Sequence, residues 1–319
     1  MKVITVVVPT YNEEINIEDI YKRVKALFEE RLCNYTMQLM FIDNFSTDRT
    51  RELIEALARK DNHVSAIFNS ANMGFSKSMY YGLSQAEGDC AVLMFADMQD
   101  PPEVVEKFVK AWEAGYKIVI GIKTKSRESK IKYFLRGCYY KFISKISDID
   151  HIEQFDGFGL YDRAFIDVLN TVDDPLPYLR GMIAEFGYKR KQIEYEQETR
   201  KKGTSKFNFL RLYDLAMLGL TSSSKLLMRF ATFLGGAMAL ISVVIAIVTM
   251  VLKITHWDSY HVGTAAILVG IFLIGAVQLI FLGILGEYLV NVNIRVMRHP
   301  LVVEEKRINM KEKAGNINS

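Results

Sequence analysis

Lys2-Val3-Ile4-Thr5-Val6-Val7-Val8-Pro9-Thr10-Tyr11-Asn12-Glu13-Glu14 decides the fold of this chain. Residues 3–8 are all β-branched and read as a strand that runs into a polar loop at Pro9. The apolar run is too short for a signal peptide, and Pro9 ends it. Beyond the loop, Ile17, Ile20, Val24, Leu27 and Phe28 recur at helical spacing. The same alternation then repeats. A strand at 38–42 precedes a helix with Leu53, Ile54, Leu57 and Ala58 on one face. Strands at 64–68 and 90–95 flank a helix at 77–86, Pro101-Pro102 opens a further helix, and a strand at 117–122 closes the series. Strands alternating with helices predict an α/β fold, a mostly parallel sheet covered on both faces. Ligands in such folds bind at the carboxyl ends of the strands. Polar clusters at 9–14, 43–48 and 97–100 fall there.

Half of the 319 residues are hydrophobic, which is high for a purely soluble enzyme, and the excess is concentrated late in the chain. Residues 230–252 and 264–286 carry no charge. At about 1.5 Å per residue each run reaches about 34 Å, enough for a hydrocarbon core of about 30 Å. A soluble core helix rarely stays apolar on every face for so long, which favours two spanning helices joined as a hairpin. Lys225 and Arg229 precede the first run, and Arg295, Arg298, Lys306 and Arg307 follow the second. The positive-inside rule then puts both termini and the N-terminal domain in the cytoplasm of a multi-pass cell-membrane protein. The expected organisation is an α/β domain at 1–228, a membrane segment at 229–290 with helices at about 230–252 and 264–288, and a charged tail at 291–319 that is mobile beyond Leu301. Cys33, Cys90 and Cys138 have no metal-binding spacing and suit a reducing compartment. Gly235, Gly236, Gly270, Gly275, Gly283 and Gly286 leave room for close helix packing and a homo-oligomer.

Neither GxGxxG nor GxxxxGK[ST] follows a strand, so a dinucleotide fold or phosphate loop of those kinds is unsupported. The strand ends offer carboxylates and amides instead. A carboxylate can accept from a base N–H or ribose hydroxyls, and a carboxylate beside an amide oxygen suits a hard divalent cation. Such a cation neutralises a diphosphate leaving group.

Residues 7–14 (Val-Val-Pro-Thr-Tyr-Asn-Glu-Glu), 43–48 (Asp-Asn-Phe-Ser-Thr-Asp) and 96–103 (Ala-Asp-Met-Gln-Asp-Pro-Pro-Glu) resemble the motifs of family 2 glycosyltransferases. More narrowly they are similar to the polyprenyl-phosphate group, which includes dolichyl-phosphate mannose synthases and bactoprenol glucosyltransferases. The resemblance implies a GT-A-type nucleotide-sugar-binding domain followed by interfacial helices and the two-helix hairpin. It also implies that Pro9, Tyr11, Glu13, Asp43 and Asp97 bind the nucleotide sugar, and that Asp97 and Gln99 hold Mg²⁺ or Mn²⁺. The usual Asp-x-Asp-x-Gln has Phe95 at its first position here, and Asn44-Phe45 stands where Asp-Gly is common. Relatives carry a candidate base in Gly-Asp-Phe-Arg-Leu, against Phe155-Asp156-Gly157-Phe158-Gly159-Leu160 in this chain, which makes Asp156 a catalytic candidate beside Asp97.

Between 121 and 149, Lys123, Lys125, Arg127, Lys130, Lys132, Arg136, Lys141 and Lys145 interleave with aromatic and aliphatic residues. That pattern suits a basic amphipathic helix on an anionic bilayer and makes nucleic acid the weaker partner. The segment 200–207 matches the family's Arg-x-x-Gly-x-Ser-Lys-aromatic element, so Arg127, Arg200, Ser205 and Lys206 are the implied acceptor-phosphate ligands, while an upstream family arginine is Gln197. The expected reaction is inverting, metal-dependent transfer of one hexose, glucose first, from a nucleotide sugar (UDP-glucose first) to polyprenyl phosphate, feeding cell-surface glycan modification. A processive polysaccharide synthase and a catalytically impaired membrane-anchored binding protein are the rival readings. The synthase's Gln-x-x-Arg-Trp element is missing around both Trp112 and Trp257.

Overall fold

A computed structural model describes residues 1–123, 155–197, 264–297 and 299–311, with scattered positions between 233 and 255. The apolar run at the N-terminus forms β1 (Lys2–Thr10), and its side chains alternate between two cores. Ile4, Val6 and Val8 face one of them and Val7 the other. In β2 (Tyr35–Asp43) Leu39 and Phe41 join the first core while Met40 and Ile42 join the second. Both faces of the sheet are dry along the carboxyl halves of β1 and β2, so there these strands are apolar at successive positions and not only at every second one. Each fully buried Val, Leu or Ile stabilises the fold by about 1.5–3 kcal/mol relative to exposure.

The first core is covered by α1 (Ile17–Glu30), α2 (Thr50–Lys60) and α4 (Val104–Glu113). The second is covered by α3 (Phe75–Ser84), α5 (Arg163–Thr171) and α6 (Leu179–Glu185). Helix α4 starts just after the paired prolines, whose carbonyls accept from Val104 and Val105 N–H at 3.1 and 3.0 Å. At the start of α5, Asp162 accepts from Ala164 N–H at 3.0 Å and caps the helix.

The remaining strands are β3 (Val64–Asn69), β4 (Cys90–Leu93), β5 (Ile118–Lys123), β6 (Gly159–Asp162), β7 (Arg190–Tyr195) and β8 (Glu304–Ile308). They form one eight-stranded sheet in the order β7-β5-β6-β4-β1-β2-β3-β8. The pairings β4·β1, β1·β2, β2·β3 and β5·β7 are parallel, and β6 and β8 run antiparallel to their neighbours. The mostly parallel α/β sheet expected from the sequence is therefore present. The strand at 117–122 does not close it, since β6 is inserted between β4 and β5. A Cβ at Gly159 would stand 2.5 Å from Val119 O, so only glycine lets β6 enter that slot. Because β6 is reversed, the segment that leads into it arrives at the carboxyl ends of β4 and β5. That placement assembles the site.

Helix α7 (Thr264–Met297) contains the second predicted span and continues past 288. Ile271, Leu279 and Leu282 on it are exposed, and by length and composition its stretch Val277–Met297 is the one candidate to cross a membrane among the described residues. Of the first predicted span only scattered positions are described, so the hairpin lies largely outside the described residues.

The tail departs from expectation. Residues 304–308 are not mobile but pair with β3, with Ile67 opposite Arg307 and Phe68 opposite Lys306. Ion pairs hold them there: Lys306 reaches Glu55 at 2.9 Å and Arg51 reaches Glu305 at 2.8 Å. Asn309 Nδ2 donates to Ala58 O and Val64 O at 2.7 and 2.8 Å. A charged strand looks like a tail by composition, yet it suits a sheet edge where alternate residues meet water.

Candidate active site

The loops after β1, β2 and β4 each contain one residue in left-handed backbone: Asn12 (φ 55°), Phe45 (φ 67°) and Met98 (φ 60°). Such conformations cost non-glycine residues energy, most of all bulky ones, and they collect where a site demands an exact backbone path. The first two loops are stitched together. Asn12 N–H donates to Ser46 Oγ at 2.8 Å, Thr47 N–H to Asn12 Oδ1 at 2.7 Å and Glu13 N–H to Thr50 Oγ1 at 2.8 Å. Glu13 also accepts from Asn16 Nδ2 at 2.7 Å.

At the end of β2, Asp43 is fully buried and multiply bonded. It accepts from Ser46 N–H at 3.0 Å, from the Ser46 hydroxyl, and from Arg51 Nε at 2.8 Å. Arg51 spreads its fork further, to Asn69 O at 2.6 Å and to Glu305, and its guanidinium carbon lies 5.3 Å from the Phe45 ring and 5.4 Å from the Phe68 ring. Phe45 is nonetheless 40% exposed. Beside it, Asn44 Oδ1 accepts from Asn69 Nδ2 at 3.1 Å and Met73 N–H at 2.9 Å.

The second half of the site is acidic. Asp97, Asp100 and Asp156 gather around Lys123, the last residue of β5. Lys123 Nζ lies 2.5 Å from Asp156 Oδ2 and 3.9 Å from Asp100 Oδ1. Tyr195, paired with Lys123 across β5 and β7, donates its hydroxyl to Asp100 Oδ1 at 2.5 Å. Asp100 Oδ2 is buried without a hydrogen-bond partner. Burial first, and the Asp156 charge next, push the Asp100 carboxyl up to about 7, while Lys123 and Tyr195 pull it down. Burial lowers the Lys123 pKa, but Asp156 and Asp100 outweigh it and hold the ammonium above the ordinary lysine value. Burial and then the Asp100 charge raise the Tyr195 phenol, so it stays a donor. Gln99 Oε1 accepts from Gln197 Nε2 at 2.6 Å. Phe95 packs its ring 5.6 Å from that of Phe75.

The glycosyl transferase family 2 profile matches residues 5–169, more than half of the chain, from within β1 to within α5. This chain is a family 2 glycosyltransferase. Its relatives agree along nearly its whole length. The SfII prophage-derived bactoprenol glucosyl transferase of Shigella flexneri is 32% identical over 95% of this chain and 97% of its own. An uncharacterized glycosyltransferase, YkcC, of Bacillus subtilis is 29% identical over 97% of this chain and 95% of its own. Among solved structures, mannosyl-3-phosphoglycerate synthase from Rubrobacter xylanophilus has a TM-score of 0.47 and 13% identity over 68% of this chain and 71% of that one.

The candidate site contains most of the residues singled out in the sequence. Pro9 pairs with Ile42 at the end of β1, and Tyr11 and Glu13 follow in the loop tied to that of Asp43. Asp97 and Asp156 lie in the acidic half, with Gln99 alongside. Arg127, Arg200, Ser205 and Lys206 lie outside the described residues. One assignment changes. Lys123, counted with the membrane-facing basic stretch, belongs to β5, is only 18% exposed and is paired with Asp156, so it faces the acidic cluster and not an outer surface. The run of basic residues around it in sequence hid this role, and its place directly after the apolar strand 118–122 was the available signal.

Among the described residues no group of three His, Cys, Asp or Glu side chains is arranged to hold a metal. Asp97 can supply one hard oxygen, and Gln99 Oε1 keeps a second lone pair beside its bond to Gln197. That set fits Mg²⁺ in the mode in which one or two carboxylates bind it together with substrate phosphates and water.

Proposed function

We propose that this glycosyltransferase moves a single hexose from a nucleotide sugar, UDP-glucose as first choice, to a polyprenyl phosphate at the cytoplasmic face of the cell membrane. The observation that carries the reading is the near-complete alignment with a bactoprenol glucosyl transferase, which extends past the catalytic sheet through α7. The exposed apolar surface of α7 supports a bilayer location, since an uncovered helix of that kind is unfavourable in water. In this reading the spans at 230–252 and 264–288 form a hairpin with both termini cytoplasmic.

The loops of β1 and β2 would hold the nucleotide, through Pro9, Tyr11, Glu13 and Asp43. Asp97 and Gln99 would hold Mg²⁺ or Mn²⁺, which when bound neutralises charge on the departing diphosphate. The lipid phosphate oxygen forms the new bond to the anomeric carbon as the bond to the diphosphate breaks, and the configuration inverts. A phosphate monoester has a second pKa near about 6, so at neutral pH the attacking oxygen is largely anionic already. It needs placement and charge compensation more than a strong base. Asp156, paired with Lys123, then acts by orienting the acceptor side of the site. Arg127, Arg200, Ser205 and Lys206 would hold the acceptor phosphate.

The test incubates the full chain, purified in detergent, with radiolabelled UDP-glucose and undecaprenyl phosphate, with and without Mg²⁺. Lipid-linked monosaccharide in the presence of the metal is the expected result. No lipid product with UDP-glucose, UDP-GlcNAc, UDP-galactose or GDP-mannose refutes the acceptor, and polymer without lipid product would point to a processive synthase.

A further inference from the structure

The strand that follows the apolar helix is built into the same corner of the molecule as the nucleotide loops. Arg51 is the link. Its Nε meets Asp43 Oδ2 at 2.8 Å, its Nη1 meets Glu305 Oε2 at 2.8 Å and its Nη2 donates to Asn69 O at 2.6 Å. A planar fork held at three points has little freedom to swing. Asp43 ends β2, Asn69 ends β3, and Glu305 belongs to β8, so three strands fix one guanidinium. The same guanidinium lies over Phe45, the exposed ring in left-handed backbone. We infer that β8 is a working part of the donor site, with Glu305 as a positioning residue that acts on Asp43 and Phe45 through Arg51. The inference rests on the reading that the β2 loop receives the nucleotide.

The geometry separates this role from a plain structural strap. Strand β8 has other anchors: the pairing with β3, Lys306 on Glu55, Tyr81 on Glu304 at 2.5 Å, and Asn309 on two carbonyls. Loss of the Glu305 carboxylate therefore leaves β8 docked and frees one arm of Arg51. Glu305 is 53% exposed, so solvent screens the pair and the expected effect is modest.

The experiment compares Glu305→Ala, Glu305→Gln and Lys306→Ala in the full chain in detergent, and reads UDP affinity by calorimetry and KM for both substrates. Lys306→Ala removes an ion pair from the same strand whose partner is Glu55 and not Arg51 or Asp43. Glu305→Ala is expected to weaken UDP binding and raise the donor KM by about three- to tenfold, with kcat, acceptor KM and melting temperature nearly unchanged. Glu305→Gln, which keeps an oxygen for Arg51, should recover most of the loss, and Lys306→Ala should show none. Equal UDP affinities for Glu305→Ala and Lys306→Ala overturn the inference. Asp43→Asn separates the two readings. If it leaves UDP binding intact, the donor-site reading itself is wrong. If it weakens binding while Glu305→Ala does not, only the role of β8 is.

Discussion

Lys123 Nζ lies 2.5 Å from Asp156 Oδ2, which joins the end of β5 to the segment that enters β6. Both side chains are largely shielded, the lysine at 18% and the aspartate at 26% exposure. With Asp100 at 3.9 Å as well, one ammonium faces two carboxyl groups in a poorly hydrated corner. Removing either sign of charge should therefore be felt in both stability and turnover.

Lys123→Met strips that corner of its cation. Breaking a shielded ion pair by deleting one partner costs about 3 kcal/mol. A lower melting temperature in detergent and a severe loss of transfer are expected, with Lys123→Arg retaining most of both. If Lys123→Met melts like the parent chain, the ion pair is not stabilising.

The raised Asp100 carboxyl gives stability a pH signature. In the folded chain it titrates at about 7, pushed there by burial and then by Asp156, whereas an unfolded aspartate titrates near about 3.9. Between those values the folded state binds the extra proton, so its contribution to stability is full below about pH 4 and falls as pH rises to about 7. Asp100→Asn, neutral throughout, should show a flatter melting profile and gain on the parent chain as pH increases. Parallel profiles from pH 4.5 to 8 would count against the shifted titration.

Gly159→Ala places a methyl group 2.5 Å from Val119 O, on backbone that cannot step aside without parting β5 from β6. Overpacking of that kind costs about 1–3 kcal/mol. The segment carrying Asp156 moves with β6, so a lowered melting temperature should come with a disproportionate drop in rate. Normal activity at a normal melting temperature would show that the slot is roomier than the geometry indicates.

Phe95→Asp restores the carboxylate usual at that place in the family. More ligand charge tightens a hard-cation site, so half-maximal activity should need about tenfold less Mg²⁺. The lost ring contact with Phe75, 5.6 Å away, should cost about 1 kcal/mol of stability. An unchanged Mg²⁺ requirement would place the cation away from residue 95.

What the sequence made legible followed burial. Strands β1, β2 and β4 are wrapped on both faces, so their apolar runs stood out, and the loops after them carried the recognisable Pro9–Glu13, Asp43 and Asp97 motifs. Strand β6 is only Gly159-Leu160-Tyr161-Asp162, too short for any periodicity to show. At the edges, Arg190–Tyr195 and Glu304–Ile308 are polar and carry no apolar run to mark a strand, and the second reads as part of a charged tail. Lys123 was hidden for a different reason. Its neighbours in sequence are basic, but its neighbours in space are acidic, and only the reversed entry of β6 brings them together.

Strand β8 also sets an order of events during synthesis. Domains tend to organise from the N-terminus as the chain emerges, and β1, β2 and β3 are made early. The free edge of β3, with its unpaired N–H and C=O groups, stays open until residue 308 has left the ribosome, later than the whole of α7. The nascent chain therefore holds an incomplete Arg51 clamp until the whole of α7 has been made, and the sheet closes at β3 only after that helix is synthesised.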